Sequence, residues 1–135
     1  MEYDKHSDRE KHMAATILMY SVPAQLHRRL EEVVRPLGFT CKKIAKKRFL
    51  QPIGCHAGMQ GFEQTADWYD GNDLPDPVLV FSEFRNHELD QFLAVCKQQN
   101  LSEFRYRAVM TEHNMYWNVI DLYRELVQEY ESLHP

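Results

Sequence analysis

The chain has 135 residues, 44% hydrophobic and 27% charged, the size and composition of one globular domain that buries a core without staples. No apolar run approaches the ~18 residues a membrane span needs, and three widely spaced cysteines (Cys41, Cys55, Cys96) with no C-x-x-C pair argue against a disulfide framework or zinc finger and for reduced, cytoplasmic thiols. The net charge of −4 is unevenly spread, because residues 28–48 hold eight of the sixteen Lys and Arg against only Glu31 and Glu32, a basic segment on an acidic body.

Residues 1–13 (MEYDKHSDREKHM) have almost no apolar content, so a disordered tail is expected there and a secretory leader is not. The single α/β domain is expected over 14–135. Thr16 to Ser21 is a nearly continuous apolar run, the pattern of a strand buried on both faces. Pro23 then opens a helix whose stripe is Leu26, Leu30, Val33, Val34 and Leu37, and Gly38 ends it. Phe39 to Ala45 interleaves apolar and polar residues, as a half-exposed edge strand does. Glycines and prolines break residues 48–76, leaving room for a short helix around Phe62 to Tyr69, with turns at 70–73 and 75–77.

Val78 to Ser82 is a second doubly apolar strand. A helix follows with Asn86 as its expected N-cap, Glu88 and Asp90 in its first turn, and Leu89, Phe92, Leu93 and Cys96 as its stripe; Asn100 closes it in a left-handed conformation. Arg105 to Thr111 is a fourth strand. Thr111 or Asn114 is then expected to cap a last helix carrying Tyr116, Val119, Ile120, Tyr123, Leu126, Val127 and Tyr130.

The order is βαβ, connector, βαβα. A faint repeat is visible, since Ile17 to Ser21 and Val78 to Ser82 each end in Ser and each precede a helix and a strand. The pattern predicts an α/β fold: a four-stranded, mainly parallel sheet with helices on both faces, for which 2-1-3-4 is one order that fits and which the sequence does not fix. A ferredoxin-like α+β sandwich is the alternative.

Phe81-Ser82-Glu83-Phe84, Leu89 with Phe92-Leu93, and Arg107 to Asn114 followed by Trp117, Leu122, Glu125-Leu126 and Glu129 resemble an uncharacterised family of small bacterial domains, domain of unknown function 3783. The resemblance spans 78–130, is most specific at the Thr111-x-x-Asn114-x-x-Trp117 stretch, and has a weaker upstream element in Gln51-Pro52-Ile53-Gly54. Glu83 stands where the family has a small residue, often Gly, and Arg107 where it has Lys. The resemblance implies a bacterial, cytoplasmic α/β domain and supplies no activity.

In a parallel sheet ligands bind outside the carboxyl ends of the strands, at the switch point between strands one and three. Those ends carry Ser21, Ser82, Glu83, Arg85, Thr111, Glu112, His113 and Asn114, a candidate site for a small molecule or phosphate. Helix caps and turns account for the same residue types without a ligand.

Lys42, Lys43, Lys46, Lys47 and Arg48 are five bases in seven residues, a candidate anion or nucleic-acid site with no glycine-rich phosphate loop and no interleaved aromatic pattern. Cys55-His56 pairs a thiol with an imidazole, but adjacent residues seldom face each other productively, so a turn with an incidental thiol is the simpler reading. His27, His87 and His113 do not complete a recognised zinc spacing with that pair. Asp67, Asp70, Asp73 and Asp76 fail the spacing of a calcium loop and make a solvated acidic connector.

No catalytic constellation is recognisable, so the leading expectation is a non-enzymatic interaction or regulatory domain. No cofactor and no membrane contact are expected, and the sequence does not identify the partner, for which a protein or a second copy are the candidates. Ligand binding at the strand ends and nucleic-acid binding through residues 42–48 are the alternatives.

Overall fold

The computed structural model describes residues 14–62, 67–101 and 104–134. The expected N-terminal tail, and residues 63–66 of the short helix expected around Phe62 to Tyr69, lie outside the described residues, and Phe62 and residues 67–69 are not helical. Strand β1 (Thr16–Tyr20) leads to helix α1 (Ala24–Val34), a 3-10 turn at Arg35–Leu37, and strand β2 (Thr40–Ile44). The connector holds a 3-10 turn at Lys46–Arg48 and a one-turn helix α2 (Ile53–His56). Strand β3 (Val78–Ser82), helix α3 (Asn86–Gln98), strand β4 (Tyr106–Val109), a 3-10 turn at Asn114–Tyr116 and helix α4 (Val119–Leu133) complete the chain.

The four strands form one mixed sheet in the order β2-β1-β3-β4. The outer pairs, β1 with β2 and β3 with β4, are parallel, and the central pair β1/β3 is antiparallel, with Leu18 opposite Val80. Two βαβ units therefore meet back to back, related by an approximate two-fold through the β1/β3 ladder. Right-handed crossovers place both crossover helices on the same face. There Ile17, Met19, Leu79 and Phe81 pack with Leu30 and Val34 of α1 and Phe92 and Cys96 of α3. On the other face Leu18, Tyr20, Val78 and Val80 pack with Val119 and Leu122 of α4 and with Phe49, Ile53 and Ala57 of the connector. Both central strands are buried at every position because both faces are covered. The edge strand β2 keeps Thr40, Lys42 and Lys43 exposed.

The internal repeat differs from its appearance in sequence. Aligning Ser21 with Ser82 would pair residues on opposite faces of the sheet, as Ile17 with Val78 shows, because a one-residue slip reverses a strand's side chains. The structural repeat runs 62 positions: Ser21 (φ 58°) matches Glu83 (φ 63°), both left-handed, and helix starts Ala24 and Asn86 match as well.

Two expected caps are corrected. Arg85, not Asn86, is the N-cap of α3, and its backbone N–H donates to Glu88 Oε1 at 2.9 Å. Asn118, not Thr111 or Asn114, caps α4, accepting from Asp121 N–H at 2.9 Å, and Tyr116 precedes the helix in a 3-10 turn. Asn100 (φ 57°) and Gly38 (φ 82°) take the left-handed conformations expected of them.

Candidate functional site: a basic cleft beside the edge strand

The antiparallel β1/β3 pairing splits the strand ends. Ser21 leaves at one end of the sheet and Ser82 at the other, so the convergence expected between strands one and three does not form. Ser21 donates instead to Asp73 of the connector. The parallel β3/β4 pair still brings Ser82, Glu83 and Arg85 near Thr111, Glu112, His113 and Asn114, tied by Met110 N–H to the Phe81 carbonyl at 2.9 Å.

Ser82 is buried within the sheet. Thr111 and Asn114 close a reciprocal turn: Thr111 N–H donates to Asn114 Oδ1 (2.8 Å), and Thr111 Oγ1 accepts from the His113 and Asn114 N–H groups (3.2 and 3.0 Å). The Asn114 side-chain amide also donates to the Val109 carbonyl at 3.1 Å, and the His113 ring lies edge-on to Trp117. The hydroxyl and amide of this cluster therefore serve local backbone, which leaves Glu83, Arg85, Glu112 and His113 as its other exposed polar groups.

The other basic candidate becomes a site. Lys42, Lys43, Ile44 and Ala45 of β2 and its end, Arg48, and Gln51, Cys55 and His56 around α2 line a cleft of ≈ 330 Å³. The cleft forms because Phe49 and Ile53 are fully buried and pull the 48–56 segment onto the sheet beneath the edge strand. Pro52 sets the start of α2, and Ile53 N–H donates to the Trp117 carbonyl at 2.8 Å. A Cβ on Gly54 would lie 2.8 Å from the Phe62 ring and 2.9 Å from the Met115 carbonyl oxygen, so only glycine allows that approach. The Gln-Pro-Ile-Gly element is thus the seam between the connector and the 115–117 turn.

At the floor of the cleft His56 is 3% exposed. Its Nε2 lies 2.9 Å from the Arg48 carbonyl, which can only accept, so Nε2 carries the proton and Nδ1 accepts from the Tyr20 hydroxyl at 2.8 Å. Burial lowers the imidazole pKa to about 4, and the nearby Lys42 and Arg48 charges push the same way, against the bond to the Arg48 carbonyl. Burial, with a smaller contribution from Cys55, raises the Tyr20 pKa, which keeps its hydroxyl a donor. Both ring nitrogens are engaged, so His56 is not a base for Cys55.

Lys42 Nζ donates to the His56 carbonyl at 2.6 Å, which anchors the ammonium and leaves it further N–H groups. Gln51, 4% exposed, accepts at Oε1 from Arg48 (3.5 Å) and weakly from the Cys55 thiol (3.9 Å). That fixes the amide's orientation and leaves its N–H groups without a protein partner among the described residues. The lining holds three cations and no carboxylate. It is rich in donors and poor in acceptors, the chemistry of an anion site.

Lys46 and Lys47 lie outside the cleft. Lys46 is exposed, and Lys47 Nζ sits 4.4 Å above the Trp68 ring. Sequence reasoning missed Gln51, His56 and Tyr20 as parts of one site. The only signal for them is a polar Gln and His among the apolar residues and glycines of 49–58.

The remaining sequence candidates disperse. Among the described residues no three His, Cys, Asp or Glu side chains are grouped to hold a metal ion. None of the three cysteines forms a disulfide among the described residues, and burial, with smaller contributions from Glu31 and Cys96, raises the Cys41 pKa to about 12. Asp76 of the acidic connector accepts from the Tyr123 hydroxyl at 2.7 Å, beside a more apolar groove of ≈ 440 Å³ between residues 69–75 and α4. No described helix is long and apolar enough to cross a membrane.

Neither the curated proteins nor the solved structures yield a match to the chain. Residues 77–133, from the start of β3 to the end of α4, match the family described as Domain of unknown function (DUF3783), the family indicated by the Thr111-x-x-Asn114-x-x-Trp117 stretch.

Proposed function

We propose that this domain is a non-enzymatic binding module, of a bacterial cytoplasm, whose working site is the cleft of Lys42, Lys43, Arg48, Gln51 and Cys55, and that it takes a multiply charged anion of the phosphate class. The observation that carries the reading is the composition of the lining: three cations and the Gln51 amide, with no carboxylate to neutralise them. The engagement of both His56 nitrogens by Tyr20 and Arg48 argues for binding over catalysis. Thiols rather than disulfides at Cys41, Cys55 and Cys96 suit a reducing compartment.

Thermal unfolding with and without pyrophosphate at low salt tests this. A ligand that binds only the folded state at about a hundred times its Kd stabilises by about 2.7 kcal/mol, a rise in Tm of roughly 10 °C for a domain this size. The rise is expected to shrink with added salt and to be largely lost in Lys42→Gln with Arg48→Gln. An unmoved Tm in the unsubstituted protein would remove the proposal.

A second reading is favoured by a different observation. The exposed Glu83, Arg85 and Glu112 at the β3 and β4 ends all lie inside the family-matched segment, whereas the cleft lies before it. On that reading the strand ends are where a partner or small molecule docks.

A further inference from the structure

Trp68 is 65% exposed, far more than an indole normally is, yet it is held in place. The next residue pins the segment: Tyr69 N–H donates to the Lys47 carbonyl at 2.9 Å, the Tyr69 ring stacks on the buried Phe49, and its hydroxyl donates to the Asn72 carbonyl at 2.8 Å. One face of the indole carries Lys47 Nζ at 4.4 Å. Lys47 is the chain neighbour of Arg48, whose guanidinium bonds Gln51 in the cleft. An exposed aromatic ring is therefore tied to the 3-10 turn Lys46–Arg48, whose last residue lines the anion cleft.

We infer that the cleft and Trp68 form one composite site for a nucleoside phosphate, with the phosphates among Lys42, Arg48 and Gln51 and the base stacked on the exposed indole. The inference rests on the anion-binding reading of the cleft and adds the ligand's other end. The two ends are electrostatically distinct. Exposed Asp67 and Asp70 flank the indole, so a phosphate is disfavoured there and the ligand is oriented with its charge in the cleft. Base stacking on an aromatic side chain tolerates any base, because every base presents a π face. The exposed Lys46 beside Lys47 offers a place for the phosphodiester of a neighbouring nucleotide, which a single strand supplies and a mononucleotide does not.

The test compares pyrophosphate, ADP, UDP and a short oligouridylate on the full chain, followed by calorimetry and tryptophan fluorescence. ADP and UDP are expected to bind about 5-fold to 100-fold tighter than pyrophosphate, the range of one base–aromatic stack, and to quench fluorescence where pyrophosphate does not. Trp68→Ala is expected to bring both nucleotides down to the affinity of pyrophosphate while leaving pyrophosphate binding within about two-fold. The side chain is mostly exposed, so the variant is expected to fold, and its retained pyrophosphate binding verifies that it does.

Equal affinity for pyrophosphate and nucleotides, unaltered by Trp68→Ala, would overturn the inference and leave the anion cleft standing. Failure of all the probes to bind would overturn both. The oligonucleotide arm separates the sources: salt-sensitive binding tighter than UDP assigns a single strand, and equal binding assigns a mononucleotide.

Discussion

His56 shows how one buried residue links the fold to the charge of its surroundings. It is held neutral by burial and by two cations, with a proton on Nε2 for the Arg48 carbonyl and a lone pair on Nδ1 for Tyr20. Protonation in the folded state would lose the Tyr20 bond and add a third positive charge. The folded pKa of about 4 lies below the ordinary 6.5, so between those values the unfolded chain binds more protons. His56 therefore contributes stability that is complete above pH 6.5 and lost as pH falls toward 4. Thermal unfolding from pH 7 to 4.5 is expected to show a larger loss of Tm in the unsubstituted protein than in His56→Gln, although the variant is less stable at pH 7. The carboxylates common to both chains cancel in the comparison. A variant with the same or a steeper fall would show that His56 does not titrate between those limits.

The helices and strands were mostly legible because their signals are local or periodic. Val78–Ser82 follows from a continuous apolar run, and the α1 stripe from helical spacing. The direction of β3 relative to β1 was not legible, since a doubly apolar strand reads the same in either sense. The caps were misplaced because several Asn and Thr compete within a few residues and tertiary packing chooses among them.

The left-handed backbone after β1 and β3 was hinted at only once, by the family's preference for a small residue at position 83. Its physical basis is the φ of 63° there, which costs a side-chain-bearing residue about 1–2 kcal/mol. Glycine removes that cost but gains unfolded-state entropy worth roughly 0.5–1 kcal/mol. Glu83→Gly is accordingly expected to raise stability by a few tenths to about 1 kcal/mol in urea unfolding with an unaltered slope. Destabilisation would mean that the Glu83 side chain makes a contact worth more than the strain.

At the scale of the whole molecule, two βαβ units share one sheet and are finished differently. α1 and α3 cover one face symmetrically, whereas on the other α4 covers one part and the 48–77 connector another. That asymmetry creates the cleft, because the connector folds back beneath edge strand β2 and brings Arg48, Gln51 and His56 up to Lys42. The basic run was visible in sequence. Its division was not, because only the fold decides that Lys42, Lys43 and Arg48 enter the cleft while Lys47 turns to Trp68.

The central claim is that the cleft, not the β3 and β4 ends, receives the ligand. Amide chemical shifts of the ¹⁵N-labelled protein during a pyrophosphate titration at low salt test it most directly. Saturable shifts are expected, concentrated in residues 42–56 and absent from 83–85 and 111–114. Shifts confined to 83–85 and 111–114, or none at all, would contradict it.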